Sequence, residues 1–408
     1  MKLRDDAKII IEETIKSVLP DRAVKNALDN IDFSSDRIIL VSIGKAAWTM
    51  AKASHDILED KITKGIVITK YGHIESDLAG IEMCEAGHPI SDGNSYKATE
   101  RALDMVSDLS ENDLVLFLVS GGGSALFESP LIDKEKLEKL NKDLLASGAN
   151  IQEINTIRKR LSSVKAGKFA KVCSPARIEA IVLSDVIGDP LDVIASGPAY
   201  PDLSTSQDAL NIIEKYSIVI DKEIEDLLKK EGPKTINNAR HQITGSVREL
   251  VENAEQTAKK LGYKTLILTD ELSCIAKEAG SFLGSMAKYY KDKGPLAIIA
   301  GGETTVELTG SGKGGRNQEI ALAAADKISG LDNVVVFSVG SDGTDGPTDA
   351  AGGLVDGSSK EKIEKDSYRI YQILKDNDSY NHLKEIDGLI MTGPTGTNVN
   401  DFTVVLIK

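Results

Sequence analysis

DLVLFLVSGGGSALF, residues 113–127, joins an unbroken apolar run to three successive glycines bracketed by serines. A strand with one wet face would alternate polar and apolar residues; this one does not, so both of its faces must be covered, as in a parallel sheet layered between helices. Working outward, the same rhythm recurs. RIILVSI (37–43) runs into GKAAWTMAKASHDILED, where Ala47, Met50, Ala51, Ser54, Ile57 and Leu58 repeat at helical spacing. GIVIT (65–69), IEMCEA (81–86) and RIEAIVLSDV (177–186) read as further strands, with helical segments from Ser91 through Leu109 and from Lys134 to about Lys171. These elements predict an α/β/α sandwich with a mostly parallel sheet.

KKEGPKTINN (229–238) mixes charge, Gly, Pro and Asn without apolar periodicity and reads as a domain boundary. The expected division is a Rossmann-like N-terminal domain, 1–234, and a smaller C-terminal α/β domain, 235–408. The second domain reads as a helix (about 246–261), a strand YKTLILTD (263–270), a helix (273–291), the strand PLAIIAGGE, a long helix from Arg316 to Ser329, and VVVFSVG (334–340). GLIMTG and FTVVLI, separated by PTGTNVND, look like neighbouring strands, which predicts a mixed sheet here.

Composition narrows the function classes. The 408 residues carry 49 Lys+Arg against 63 Asp+Glu, a formal charge of -14, which argues against a nucleic-acid partner and for any anion being held locally. The first fifteen residues mix acids into their apolar positions, unlike a signal or transit peptide. No apolar run approaches the ~18 residues a membrane span needs. A cytoplasmic protein without a membrane partner is the expectation. Cys84, Cys173 and Cys274 are scattered, which excludes a disulfide scaffold and a cysteine-rich zinc site.

Four stretches carry candidate chemistry. Ser120–Ser124 follows a buried strand, where glycine amides can converge on an anion; the alternative is a tight turn alone. TGSGKGGRNQEIALAAA (309–325) places Lys313 and Arg316 around glycines at a helix start and contains G-x-G-x-x-G from Gly310 to Gly315. As a dinucleotide fingerprint it is weak, because no acid follows at the tip of the next strand at the expected distance. VGSDGTDGPTDAAGG (339–353) offers Asp342, Asp345 and Asp349 as magnesium ligands or as an Asx-rich turn. SDVIGDPLDVIASGP (184–198) offers Asp185 and Asp189 as a general base, or as a helix cap. Lys45, in SIGKAAW, follows the first strand, and His88 sits in the loop EAGHPISDGNS. Neither a Walker A motif nor the protein-kinase residue set is present.

Taken in order, IGKAAWTM, EAGHPISDGNS, LVSGGGSAL, LSDVIGDPLDVIASGP, GGETTVELTGSGKGGRNQE, SVGSDGTDGPTDAAG and TGPTGTNVND closely resemble the glycerate 2-kinase family, whose C-terminal half is called the MOFRL domain. The resemblance spans about Ile39 to Asp401. It implies ATP-dependent, Mg²⁺-assisted phosphorylation of D-glycerate to 2-phosphoglycerate at an interdomain cleft; a monomer or homodimer is expected. It also implies active-site roles for Lys45 and Arg316; the strand-tip position of Asp189 and Asp185 makes one of them the expected acceptor of the attacking hydroxyl's proton. Gly44, Ser120, Gly121, Gly122, Gly123, Ser124, Asp185, Lys313, Gly314, Gly315, Asn317, Thr395 and Asn398 are the expected binding residues, and Asp345 with Asp342 the expected metal ligands. Two departures stand out: Ser91 where relatives commonly carry proline, and Pro190 where an acid often follows. The alternatives are an NAD(P)H-dependent hydroxypyruvate reductase and a non-catalytic nucleotide or sugar-acid binding protein.

Overall fold

The computed structural model describes residues 2–366 and 369–408. The chain forms two compact units, one of Ala23–Thr244 and one of the chain up to Arg22 together with Gly245–Lys408.

In the first unit six strands make a parallel sheet: β1 (Ile38–Ile43), β2 (Lys64–Lys70), β3 (Ile81–Ala86), β4 (Leu114–Val119), β5 (Arg177–Val182) and β6 (Ala239–Ile243), in the order β3-β2-β1-β4-β5-β6. The central pair, β1 and β4, is buried at every residue. Alternate side chains serve two different cores: Ile39, Val41, Val115 and Phe117 pack on one face, Ile38, Leu40, Leu114 and Leu116 on the other. This double burial is why neither strand alternates in sequence. From β1 the chain winds outward through β2 and β3, then returns to the other side of β1 as β4. The strand order therefore reverses between β1 and β4, and the loops at their carboxyl ends flank the crevice where such sheets bind ligands.

The second unit has a mixed sheet: β7 (Lys264–Leu272), β8 (Leu296–Gly302), β9 (Val334–Gly340), β10 (Gly352–Asp356), β11 (Leu389–Ile390) and β12 (Asp401–Ile407), in the order β11-β10-β9-β12-β8-β7. Among these described strands only β7 and β8 pair in parallel. The mixed sheet expected from sequence is present, but GLIMTG and FTVVLI are not neighbours in it. β12 lies between β8 and β9, while β11 pairs with β10 at the edge. β10 hides in a glycine- and aspartate-rich stretch, and β6, ARHQI, is a partly exposed edge strand; neither has the apolar run that marks the others.

The domain limits also differ from the single cut at 234/235. β6 adds to the parallel sheet, carrying the first unit to Thr244, and the helix Lys2–Ser17 belongs with the second. Its Ala7, Ile10, Ile11 and Ile15 share a core with Phe337, Val404 and Leu406 of the mixed sheet. Arg4 Nε donates to Asp356 at 2.6 Å and Tyr263 Oη to Asp6 at 2.7 Å. An amphipathic helix at one end of a sequence shows which face is apolar, but not which distant core receives it.

Candidate active site

At the carboxyl edge of the parallel sheet the turns after β1 and β4 are laced together. Ser120 N donates to Ile43 O at 2.9 Å, Lys45 N to Gly121 O at 2.9 Å, and Ala46 N to Ser120 Oγ at 3.1 Å. Gly44 has φ +113° and lies so close to Ser120 that a Cβ would overlap its hydroxyl and carbonyl; only glycine fits both demands. A Cβ on Gly121 would overlap the Asp185 carboxylate, and one on Gly122 would stand 2.9 Å from the His88 ring and 3.3 Å from Lys45 Cγ. Lys45, His88 and Asp185, from three different loops, therefore meet around Gly121 and Gly122.

Lysines and one carboxylate, Asp185, set the charge around this point. Burial, then the positive charges of Lys45 and Lys70, holds the His88 imidazole below its ordinary pKa. At neutral pH it stays uncharged and offers one donor and one acceptor nitrogen. The loop carrying it is tied to the glycine turn by Ser91 Oγ, which donates to Ala125 O at 2.7 Å. Ser124 Oγ is 2.6 Å from Ser196 Oγ, joining the turn to the loop after β5. Asp189 on that loop has left-handed backbone, φ +53°, and its amide donates to Val186 O.

Lys165, which sequence reasoning missed, supports the turn from behind. It is fully buried, and its Nζ donates to Ser124 O at 2.7 Å and Phe127 O at 3.2 Å and pairs with Glu128 at 3.0 Å. The helical segment Gly123–Leu126 is a single turn, and the Gly123 amide is spent on Ser120 O. One turn sums few peptide dipoles, so a helix macrodipole contributes little here.

In the other unit Arg316 opens the helix Arg316–Ile328. Its Nε and Nη2 donate to the two oxygens of Asp401 at 2.6 and 3.0 Å, and Nη1 donates to Glu303 at 2.7 Å. Burial alone would lower its pKa, but these carboxylates outweigh that and keep the guanidinium charged. Glu303 follows β8 and Asp401 begins the antiparallel β12, so both stand at the same sheet edge as the end of β9.

The glycine stretch before Arg316 is committed elsewhere. The amides of Thr309 and Gly310 donate to Asn377 Oδ1 at 2.8 and 2.9 Å, and Ser311 N to Asp376 Oδ1 at 3.2 Å. Gly312 N donates to Asp376 O and Lys313 N to Asp378 Oδ1. A Cβ on Gly314 would overlap the Ser379 hydroxyl, and Lys313 Nζ lies 4.2 Å above the Tyr380 ring.

Asp345 is a helix cap. It is buried, and its two oxygens accept from Asn317 N at 3.1 Å and Gln318 N at 2.9 Å. Burial pushes its pKa up to about 7. Asp342 accepts from Thr344 N at 2.9 Å, an Asx turn. Asn317 is itself buried, receiving the Ser338 hydroxyl at 2.5 Å; Thr395 Oγ1 donates to Ser341 O at 2.6 Å, and Asn398 Oδ1 accepts from Asn400 N.

Comparison with known proteins gives this geometry a setting. Residues 6–229 match a domain of unknown function (DUF4147) and residues 296–401 match the MOFRL family. A D-glycerate 2-kinase from Thermotoga maritima is 51% identical over 98% of this chain and 97% of its own length. The chain belongs to the glycerate 2-kinase family. A crystal structure of a Thermotoga maritima glycerate kinase, 50% identical, superposes with a TM-score of 0.96 over 100% of both chains. A relative from Agrobacterium vitis that carries a hydroxypyruvate reductase name is 38% identical over 98% of this chain and 93% of its own length.

For a member of the glycerate 2-kinase family the expected residues divide into two sets. The structure gathers Gly44, Lys45, Ser120, Gly121, Gly122, Gly123, Ser124 and Asp185 at one sheet edge, and adds His88 and Lys165. Arg316 stands at the edge of the other sheet with Glu303 and Asp401, two partners that sequence spacing of 13 and 85 residues conceals. In the loop before Arg316 the five consecutive amides of Thr309–Lys313 are bonded to residues 376–378, so those five are not open to a phosphate. Asp345 does not fit a resident magnesium ion, which takes free carboxylate oxygens, because both of its oxygens face helix amides; Asp342 accepts from Thr344 N within its own turn. Among the described residues no group of three His, Cys, Asp or Glu stands where it could hold a metal ion.

Proposed function

We propose that this chain transfers the γ-phosphoryl group of ATP to the 2-hydroxyl of D-glycerate, giving 2-phosphoglycerate and ADP. The likeness to a D-glycerate 2-kinase at 51% identity over 98% of the chain carries this reading. Phosphoryl transfer needs in-line positioning and neutralisation of charge on the moving group, with little covalent help from the protein. Lys45 supplies that charge at the parallel-sheet edge, beside the Gly121–Ser124 turn, whose Gly123 amide is already bonded to Ser120 O. Asp185 accepts the proton of the attacking hydroxyl, with Asp189 as the other carboxylate of that loop. Arg316 grips an anionic oxygen of substrate or nucleotide. Magnesium, where it takes part, would be held by the phosphate oxygens of ATP and would neutralise their charge.

Phosphorus NMR of the product from ATP, Mg²⁺ and D-glycerate tests this directly. A 2-phosphoglycerate resonance growing with ADP is expected; NADH-dependent reduction of hydroxypyruvate, or ATP binding without turnover, would replace the kinase reading. The bonded amides around Gly310–Gly315 weigh against a dinucleotide there. Among the described residues no helix is long and apolar enough to cross a membrane, and we place the enzyme in the cytoplasm as a monomer or homodimer.

A further inference from the structure

Arg316 has two carboxylate partners of unequal permanence. Asp401 takes the Nε/Nη2 edge of the guanidinium with both oxygens, its side chain only 7% exposed and its backbone fixed in β12 between β8 and β9. Glu303 takes Nη1 through a single oxygen, and its side chain is 45% exposed. A guanidinium has two edges that can present a parallel pair of N–H groups to a carboxylate or phosphate. One is closed by Asp401. The other, Nη1 with the remaining Nη2 hydrogen, has a one-point occupant able to leave.

We propose that Glu303 is a placeholder for substrate: an internal carboxylate that holds Nη1 of Arg316 until a carboxylate or phosphoryl oxygen displaces it. The inference rests on reading Arg316 as an anion anchor. An exposed, one-point ion pair is weak, and the carboxylate regains water as it swings out; Asp401 would have to leave the middle of a sheet. The exchange also conserves charge, because the incoming oxygen takes over the negative charge that Glu303 withdraws. Without the exchange Arg316 would face two carboxylates, an arrangement that repels a further anion. Glu303 is thus a competitor for the anion's place, and removing its charge strengthens binding.

Calorimetric titration of D-glycerate alone and of ATP alone tests the idea in wild type, Glu303→Gln, and the same change placed in an Arg316→Gln/Asp401→Asn background that leaves no buried charge alone. Glu303→Gln is expected to bind at least one ligand roughly 2–5-fold tighter, the range an exposed ion pair allows, and to lose that gain in the second background. A gain with glycerate identifies the displaced position as a carboxylate site; a gain with ATP identifies it as a phosphoryl site. Unchanged or weaker binding of both ligands by Glu303→Gln overturns the placeholder role, as does a gain that persists without Arg316. Undiminished binding of both ligands in the Arg316→Gln/Asp401→Asn protein overturns instead the anchor role of Arg316.

Discussion

Two glycine-rich loops, Ser120–Ser124 and Gly310–Gly315, look alike in sequence and have opposite fates. Each stands beside candidate cations, and each could pass for an anion cradle. Around 120–124 the glycines let Lys45, His88 and Asp185 crowd against the backbone. Around 310–315 they let the chain lie against residues 376–379, whose carboxylate, amide and carbonyl oxygens absorb the loop's N–H groups. Glycine permits close approach without saying to what; the destination of the amides decides.

Substitutions can break this contrast. Lys45→Ala should cut kcat/KM by about 10²–10³-fold, the effect of removing one preorganised electrostatic contact, with the melting temperature unchanged; a coupled ADP assay reads it, and near-normal turnover would remove Lys45 from the mechanism. Gly121→Ala drives a methyl into the Asp185 carboxylate. We expect a loss of about 10–100-fold, the scale set by sub-ångström to ångström misplacement of reacting groups. On the other loop, Asn377→Ala leaves the amides of Thr309 and Gly310 without their acceptor. Denaturant unfolding should show a loss of about 1–3 kcal/mol, while turnover of the folded fraction stays within about threefold, consistent with a surface that binds no reactant. A catalytic collapse without loss of stability would return that loop to the active site.

The smallest effect concerns Asp345. Its folded pKa of about 7 lies above the ordinary value of 3.8, so the folded state binds the proton more tightly. Its contribution to stability is fully present below about pH 3.8 and fades as pH rises through 7. Asp345→Asn should flatten that part of the stability–pH curve, measured by urea midpoints at successive pH values; an unchanged slope would mean the carboxylate titrates at its ordinary value.

The legible parts of this fold are those where one physical demand dominates. β1, β4, β9 and β12 are buried on both faces and announce themselves as apolar runs. β6 and β10 answer to edge exposure and backbone proximity instead, and look like loops. The parallel-sheet site is readable because strand ends and glycines coincide in sequence there. Glu303, Asp401 and Lys165 are not, because their roles exist only once distant segments meet. Asp345 reads as a metal ligand because a cap and a ligand use the same side chain; only the direction of its oxygens separates them.

β12 follows the other strands of its sheet in chain order and yet occupies the middle. During synthesis the β7–β8 pair and the β9–β10–β11 group have no common member until residues 401–407 leave the ribosome. The helix Lys2–Ser17 shares its core with Val247, Leu250 and Val251 as well as with Val404 and Leu406, so its packing is completed by the same event. Most of the chain is made between that helix and the strand it packs against, so the sheet closes across its middle only when β12 emerges. Truncation a few codons before Asp401 would leave two unjoined half-sheets with exposed edges.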